Sequence, residues 1–147
     1  MILNIYYFID KFNKNEIEKL SSKISLIYRN YGKKSDSIEL KKLILYCKNK
    51  RRKIYISNDL KTAIKFNFDG LYIPSFNKSL RFRNIIRDNF EILGSAHNVM
   101  ELKIKEKQGC SAIFLSPVFK NDKKKKFLDV IKTNLLRNST NNKIVLL

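Results

Sequence analysis

The run Glu91-Ile92-Leu93-Gly94-Ser95-Ala96-His97-Asn98, followed after a helix-like segment by Gly109-Cys110-Ser111-Ala112-Ile113-Phe114-Leu115-Ser116-Pro117-Val118-Phe119, decides how this chain folds. Each run is mostly apolar and closes on small polar residues. Between them Asn98 is placed to cap a helix, Glu101 sits at the third helical position as in a capping box, and Gly109 is placed to end the helix. The segment reads as strand, helix, strand. The only histidine, His97, and a proline gather where the strands end, which is where alpha/beta proteins place ligand-binding groups.

The same alternation extends in both directions. Apolar, β-branched and aromatic runs fall at about residues 3-9, 24-30, 53-58, 70-75, 90-96, 111-117 and 143-147, and most intervals between them carry helical periodicity. In the second interval Leu40, Leu43, Ile44 and Cys47 share one helical face, while Lys41, Lys42, Lys48 and Lys50 point largely away. In the sixth, Phe127, Ile131 and Leu135 mark the expected apolar face. Strand-helix repetition at this spacing predicts a parallel sheet, closed as a barrel or doubly wound. No linker or low-complexity stretch interrupts it, so residues 1-147 are expected to form a single domain. Lys143 to Leu147 reads as a strand that stops at the last residue. A barrel of eight would then lack its closing strand, so we expect a C-terminally truncated chain or an open sheet edge covered by a second copy.

Thirty-one Lys plus Arg against thirteen Asp plus Glu give a net charge of +18, which attracts phosphorylated ligands, nucleic acid or anionic membrane alike. Lysine, asparagine and isoleucine are abundant throughout, so codon bias explains the basicity as well as a binding surface does. Cys47 and Cys110 lack the close spacing of metal or redox motifs and read as buried fillers in a reducing compartment. The first residues carry no basic leader or cleavage site, and no run reaches the length of a membrane span, so a cytoplasmic location without membrane attachment is expected.

The string Ile92-Leu93-Gly94-Ser95-Ala96-His97-Asn98, with Gly109-Cys110-Ser111-Ala112-Ile113-Phe114-Leu115-Ser116-Pro117-Val118-Phe119 after it, resembles strands five and six of the thiamine phosphate synthase and TenI family. A serine-x-histidine and a glycine- or serine-proline segment recur there in this order. The resemblance implies an α/β fold of the TIM (β/α)8-barrel type, here incomplete with about seven strands. It also implies the coupling of hydroxymethylpyrimidine diphosphate to thiazole phosphate, with Mg2+ assisting and pyrophosphate released.

Site residues carry over one at a time. Arg29, at the end of the second run, matches a family arginine, and a guanidinium there can grip two phosphate oxygens, although a solvated loop charge is the plain alternative. Ile27 and Tyr31 depart from the glutamine and lysine that usually flank it. Asn58 and Asp59 resemble the strand-three pair that meets diphosphate and magnesium, Asp59 being the metal candidate. Either is equally suited to capping the next helix. Ser95 matches the serine that faces the substrate, and a strand-end hydroxyl can also be a filler. Lys124 matches the lysine of the loop after strand six, whose two threonines are replaced here, and Lys123 to Lys126 would otherwise be a solvated turn. Tyr72, Pro74 and Ser75 replace the usual strand-four residues, and Asn77 stands where a further metal-binding aspartate is expected.

These substitutions predict little or no synthase turnover. Two other readings stay open: a TenI-like isomerase of thiazole phosphate with His97 as the acid-base group, and a degenerate barrel that binds a phosphorylated ligand without turnover. The expected partners are phosphorylated pyrimidine and thiazole ligands. Nucleic acid is not expected, since no binding motif accompanies the charge.

Overall fold

The computed structural model describes residues 4-31, 36-85, 87-118 and 127-147. Among the described residues seven strands follow one another in the sheet in chain order, and the chain parts into two compact units, Met1–Leu71 and Tyr72–Leu147.

The first unit holds β1 (Tyr6–Ile9), α1 (Lys14–Glu18), β2 (Ser25–Tyr28), α2 (Ser37–Asn49), β3 (Ile54–Ser57), α3 (Leu60–Lys65) and the start of β4 (Gly70–Ile73). β1 and β2 run parallel with Ile9 opposite Tyr28, and β2 and β3 run parallel with Tyr28 opposite Ile56. Leu26, Tyr28, Ile54 and Ile56 are buried, as are Leu40, Leu43, Ile44 and Cys47 of α2. That is the helical face read from the sequence, and Lys41, Lys42, Lys48 and Lys50 are exposed as expected. Each helix starts on a short polar residue: Asn13 accepts from Glu16 N, Asp36 from Ile38 N and Asp59 from Thr62 N, which satisfies amides that the first turn leaves open. Asp69 ties two strands together, since its Oδ2 accepts the Ile54 amide at 2.8 Å. The buried Arg52 reaches back to the Ile24 and Leu20 carbonyls at 2.8 and 3.1 Å and fixes the approach to β2.

The second unit holds the remainder of β4, a single 3-10 turn at Leu80–Phe82, β5 (Glu91–Ala96), α4 (Val99–Lys107), β6 (Ala112–Leu115), α5 (Asp129–Asn138) and β7 (Lys143–Leu146). β5, β6 and β7 are parallel neighbours, with Ser95 opposite Phe114 and Phe114 opposite Val145. Gly109, at φ 78°, ends α4 in the left-handed region that glycine takes without strain.

Among the described residues the interval after β4 carries a 3-10 turn, with Phe76 and Leu80 exposed and Phe82 buried. One sequence expectation needs correction here: in α5 the predicted face is rotated. Phe127, Ile131 and Leu135 are exposed, whereas Leu128, Thr133 and Leu136 are buried. Adjacent leucines at 135 and 136 make two stripes available, and periodicity alone does not choose between them.

Candidate functional site

In the first unit Arg29 continues from the end of β2, its amide bonded to the Ile9 carbonyl at 2.7 Å. Its guanidinium lies 4.5 Å from the centroid of the Phe8 ring and 5.9 Å from that of Tyr31. An arginine stacked on aromatic faces keeps its N–H edges directed outward, a suitable posture for an oxyanion. Tyr31 in turn meets Ser57 Oγ at 2.9 Å, which links the end of β2 to the end of β3. The hollow of about 210 Å³ that Arg29 lines also receives Asp10, Lys11 and Glu16, so its charge is mixed.

Asn58, with φ 61°, makes the turn out of β3, and Asp59 follows it, exposed to solvent. Asp59 Oδ1 accepts the Thr62 amide at 2.9 Å, so one carboxylate oxygen is committed to the helix cap. A separate hollow of about 360 Å³ at the ends of β2 and β3 is lined by Tyr28, Asn30, Ser57, Asp59 and Lys61, among others. Among the described residues no group of three His, Cys, Asp or Glu side chains is placed to hold a metal.

In the second unit His97 leaves β5 and enters α4. Its amide donates to Glu101 Oε2 at 2.7 Å, while Asn98 Oδ1 accepts the Glu101 amide at 2.9 Å. This is a reciprocal cap displaced by one residue, with the backbone N–H supplied by His97 instead of the capping Asn98. The ring is held at both nitrogens. Nδ1 faces the Ser116 carbonyl oxygen, and Nε2 lies 3.1 Å from Ser75 Oγ. A carbonyl only accepts, so in the neutral ring Nδ1 carries the hydrogen and Nε2 presents its lone pair to the Ser75 hydroxyl. Ser95, one strand position before Ala96, is buried within β5.

Beneath this network stands a group that sequence reasoning missed. Lys105 is fully buried, and its Nζ donates to Pro74 O, Asn77 O and Gln108 Oε1 at 2.8, 2.8 and 2.9 Å. Gln108 Nε2 donates to Asn77 O and Ser79 O, both at 2.9 Å. Together they clamp the loop that carries Ser75. Burial pulls the Lys105 ammonium down to about 8, partly opposed by the nearby Cys110 and Glu101. Burial also pushes the Cys110 thiol up to about 12. The signal was available in the spacing, because Lys105 follows the buried Leu102 by three residues and so falls on the buried stripe. Asn77 spends its side-chain oxygen on the Ser79 amide at 3.0 Å. Lys124 lies outside the described residues.

Parallel strands alternating with helices, with polar groups collected where strands end, define an α/β protein of the incomplete TIM-barrel type. The chain belongs to the thiamine monophosphate synthase family, whose model matches residues 17–144. In structure it is similar to a thiamine phosphate pyrophosphorylase from Pyrococcus furiosus, with a TM-score of 0.75, 15% identity, and coverage of 99% of this chain and 74% of that one. It is also similar to the U32 peptidase Mk0906, with a TM-score of 0.67, 7% identity, and coverage of 99% and 68%. At these identities the likeness shows the fold, and two different activities share it. Among curated proteins no sequence match is found. No helix among the described residues is long and apolar enough to cross a membrane.

Proposed function

We propose that the chain is a thiamine phosphate synthase-like protein that takes the phosphorylated pyrimidine and thiazole ligands of that reaction. In the coupling, the thiazole joins the pyrimidine as pyrophosphate leaves; in the first unit Arg29 and Asn58 are the proposed diphosphate contacts, and in the second unit Ser95 is a separate proposed ligand contact. The observation that carries this reading is Arg29, an exposed guanidinium seated on two aromatic rings at a strand end, in a chain that matches the family model over most of its length. Charge-assisted, bidentate contact with a diphosphate is the chemistry such a group performs best.

Magnesium would enter with the diphosphate instead of residing in a protein cage. The residue that would hold it is Asp59, whose carboxylate has one oxygen on the helix cap, since magnesium is commonly bound by one carboxylate together with substrate phosphates. There it would supply charge neutralisation for a departing pyrophosphate. Asn77 adds no carboxylate, and its amide oxygen already serves the Ser79 amide. Binding should therefore outlast turnover.

Calorimetric titration of hydroxymethylpyrimidine diphosphate tests this directly. The Arg29→Ala variant should bind more weakly by about 1–3 kcal/mol, the value of a hydrogen bond to a charged group. Unchanged affinity would make Arg29 a solvated charge and remove the basis of the reading. In parallel, thiamine phosphate formation by the unmodified chain should be slow or nil, and robust magnesium-dependent product would overturn the expectation of lost turnover.

One further observation favours a second reading. The Ser116 carbonyl fixes the His97 tautomer and leaves Nε2 as a base, as a TenI-like isomerisation of thiazole phosphate would need. Metal-independent isomerisation that disappears in His97→Ala would move the assignment there.

A further inference from the structure

The geometry points to Ser75 as an activated nucleophile, with His97 as its base and the Ser116 carbonyl as the group that orients the base. The three atoms stand in the order a nucleophilic hydroxyl requires. Ser75 Oγ lies 3.1 Å from His97 Nε2, and the opposite ring nitrogen is hydrogen-bonded to Ser116 O. An adjacent base, itself held by a third group, is the arrangement that turns a weak hydroxyl into an attacking one. A main-chain carbonyl serves for orientation as a carboxylate does, since it too accepts the Nδ1 hydrogen and keeps Nε2 free of one.

The surroundings hold both partners still. Ser75 sits immediately beyond the end of β4 in a turn whose flanking carbonyls, Pro74 O and Asn77 O, are both bonded to Lys105 Nζ, and Asn77 O and Ser79 O are also bonded to Gln108. His97 is fixed by its own amide on Glu101. Both Ser75 and His97 are half-buried, which leaves part of each open to a small substrate. Pre-organisation of this kind lowers the cost of bringing reacting groups together.

The reaction class is acyl transfer from a small carboxylic ester, and the net charge of +18 favours esters of anionic molecules. Ser75 Oγ bonds to the carbonyl carbon as its proton passes to His97 Nε2. The carbon–oxygen bond to the leaving alcohol then breaks, and Nε2 returns the proton to that alcohol. Water attacks the acylated serine, Nε2 receives its proton, and the carboxylic acid departs as Ser75 Oγ is reprotonated. No cofactor or redox partner enters the balance.

The full chain should be treated with a fluorophosphonate, where Ser75 Oγ bonds to phosphorus and fluoride leaves, and the labelled peptide identified by mass. This probe is chosen because a lysine-rich surface is acylated by activated esters without any catalysis. Ser75 should label at least about a hundredfold faster than the exposed Ser21, and His97→Gln should slow Ser75 by a factor of about a hundred or more, the usual weight of a positioned base. The wild-type comparison of Ser75 with Ser21 needs no variant to fold. Ser75 labelling no faster than Ser21, or at the same rate in a folded His97→Gln protein, would overturn the proposal and leave Ser75 as a hydrogen-bonding partner of the ring. Neither result bears on diphosphate binding at Arg29.

Discussion

Replacing Lys105 by methionine separates the two things a buried ammonium does: it burdens the fold with a desolvated charge and it ties down the loop after β4. All three acceptors lose Lys105 Nζ, but Pro74 O keeps the Asn77 amide and Asn77 O keeps Gln108 Nε2, so only Gln108 Oε1 is left with no other named donor. One orphaned buried acceptor costs about 1–3 kcal/mol. Against this, methionine relieves the charge burial, which the fall from 10.5 to about 8 sets at no more than about 3 kcal/mol. The two nearly cancel. Lys105→Met should therefore change stability at neutral pH by less than about 2 kcal/mol in either direction, whereas Lys105→Ala, which also leaves a cavity, should lose about 2–5 kcal/mol.

The pH dependence is the sharper readout. Between about 8 and 10.5 the unfolded chain still holds the Lys105 proton that the folded chain has released, so more protons are bound by the unfolded state and stability rises with pH. The cysteines act in the opposite sense. Cys47 and Cys110 are raised from 9.0 to about 12 by burial, so the unfolded thiols ionise first and stability falls above pH 9 in both proteins. The quantity to measure is thus the difference between wild type and Lys105→Met, from urea unfolding at a series of pH values. It should grow in favour of the wild type through this window, by up to about 3 kcal/mol. A flat difference curve would refute the account of Lys105 as a buried, depressed ammonium.

A methyl group on Gly94 would stand 2.7 Å from Cys110 Sγ and 2.8 Å from Lys105 Cδ. Gly94→Ala should then cost about 1–3 kcal/mol in thermal or urea unfolding, with part recovered by adding Cys110→Ala. At Asp59 the capping and metal roles separate by substitution. Asp59→Ala should lose about 0.5–2 kcal/mol of stability, while Asp59→Asn keeps the cap and should lose almost none. If Asp59 also holds magnesium, Asp59→Asn should weaken magnesium-dependent diphosphate binding, and equal affinity with and without the carboxylate would leave it a cap alone.

The strands were legible because each is a short apolar run, and buried strands with helix-covered faces are written that way. The helix starts at Asp59 and Asn98 were legible for a local reason: a capping side chain reaches only two or three residues along the chain. The apolar face of α5 was not, because Phe127-Leu128 and Leu135-Leu136 each offer two neighbouring candidates about 100° apart on the helix. The candidate site divides in the same way. Arg29, Ser95 and His97 are visible as polar residues at strand ends, whereas the Lys105–Gln108 clamp joins residues about thirty positions from the loop they hold. No local pattern records such a meeting. A lysine in the last turn of a helix is also what an exposed end would carry.

Gly94 shows how the legible and illegible parts depend on each other. In the sequence it is one letter of the strand-five string that carries the family likeness, with no role of its own. In the structure its missing side chain is the space into which Lys105 and Cys110 close. With that space filled, the Lys105 stem must shift where it lies against β5, which strains the bonds its ammonium makes to Pro74 O and Asn77 O on either side of Ser75. The placement of the Ser75 hydroxyl on the His97 ring is thus coupled to a glycine in the middle of a strand. The fold residue and the reactive pair belong to one packing arrangement, so a change at Gly94 should disturb the serine's reactivity as well as the stability of the unit.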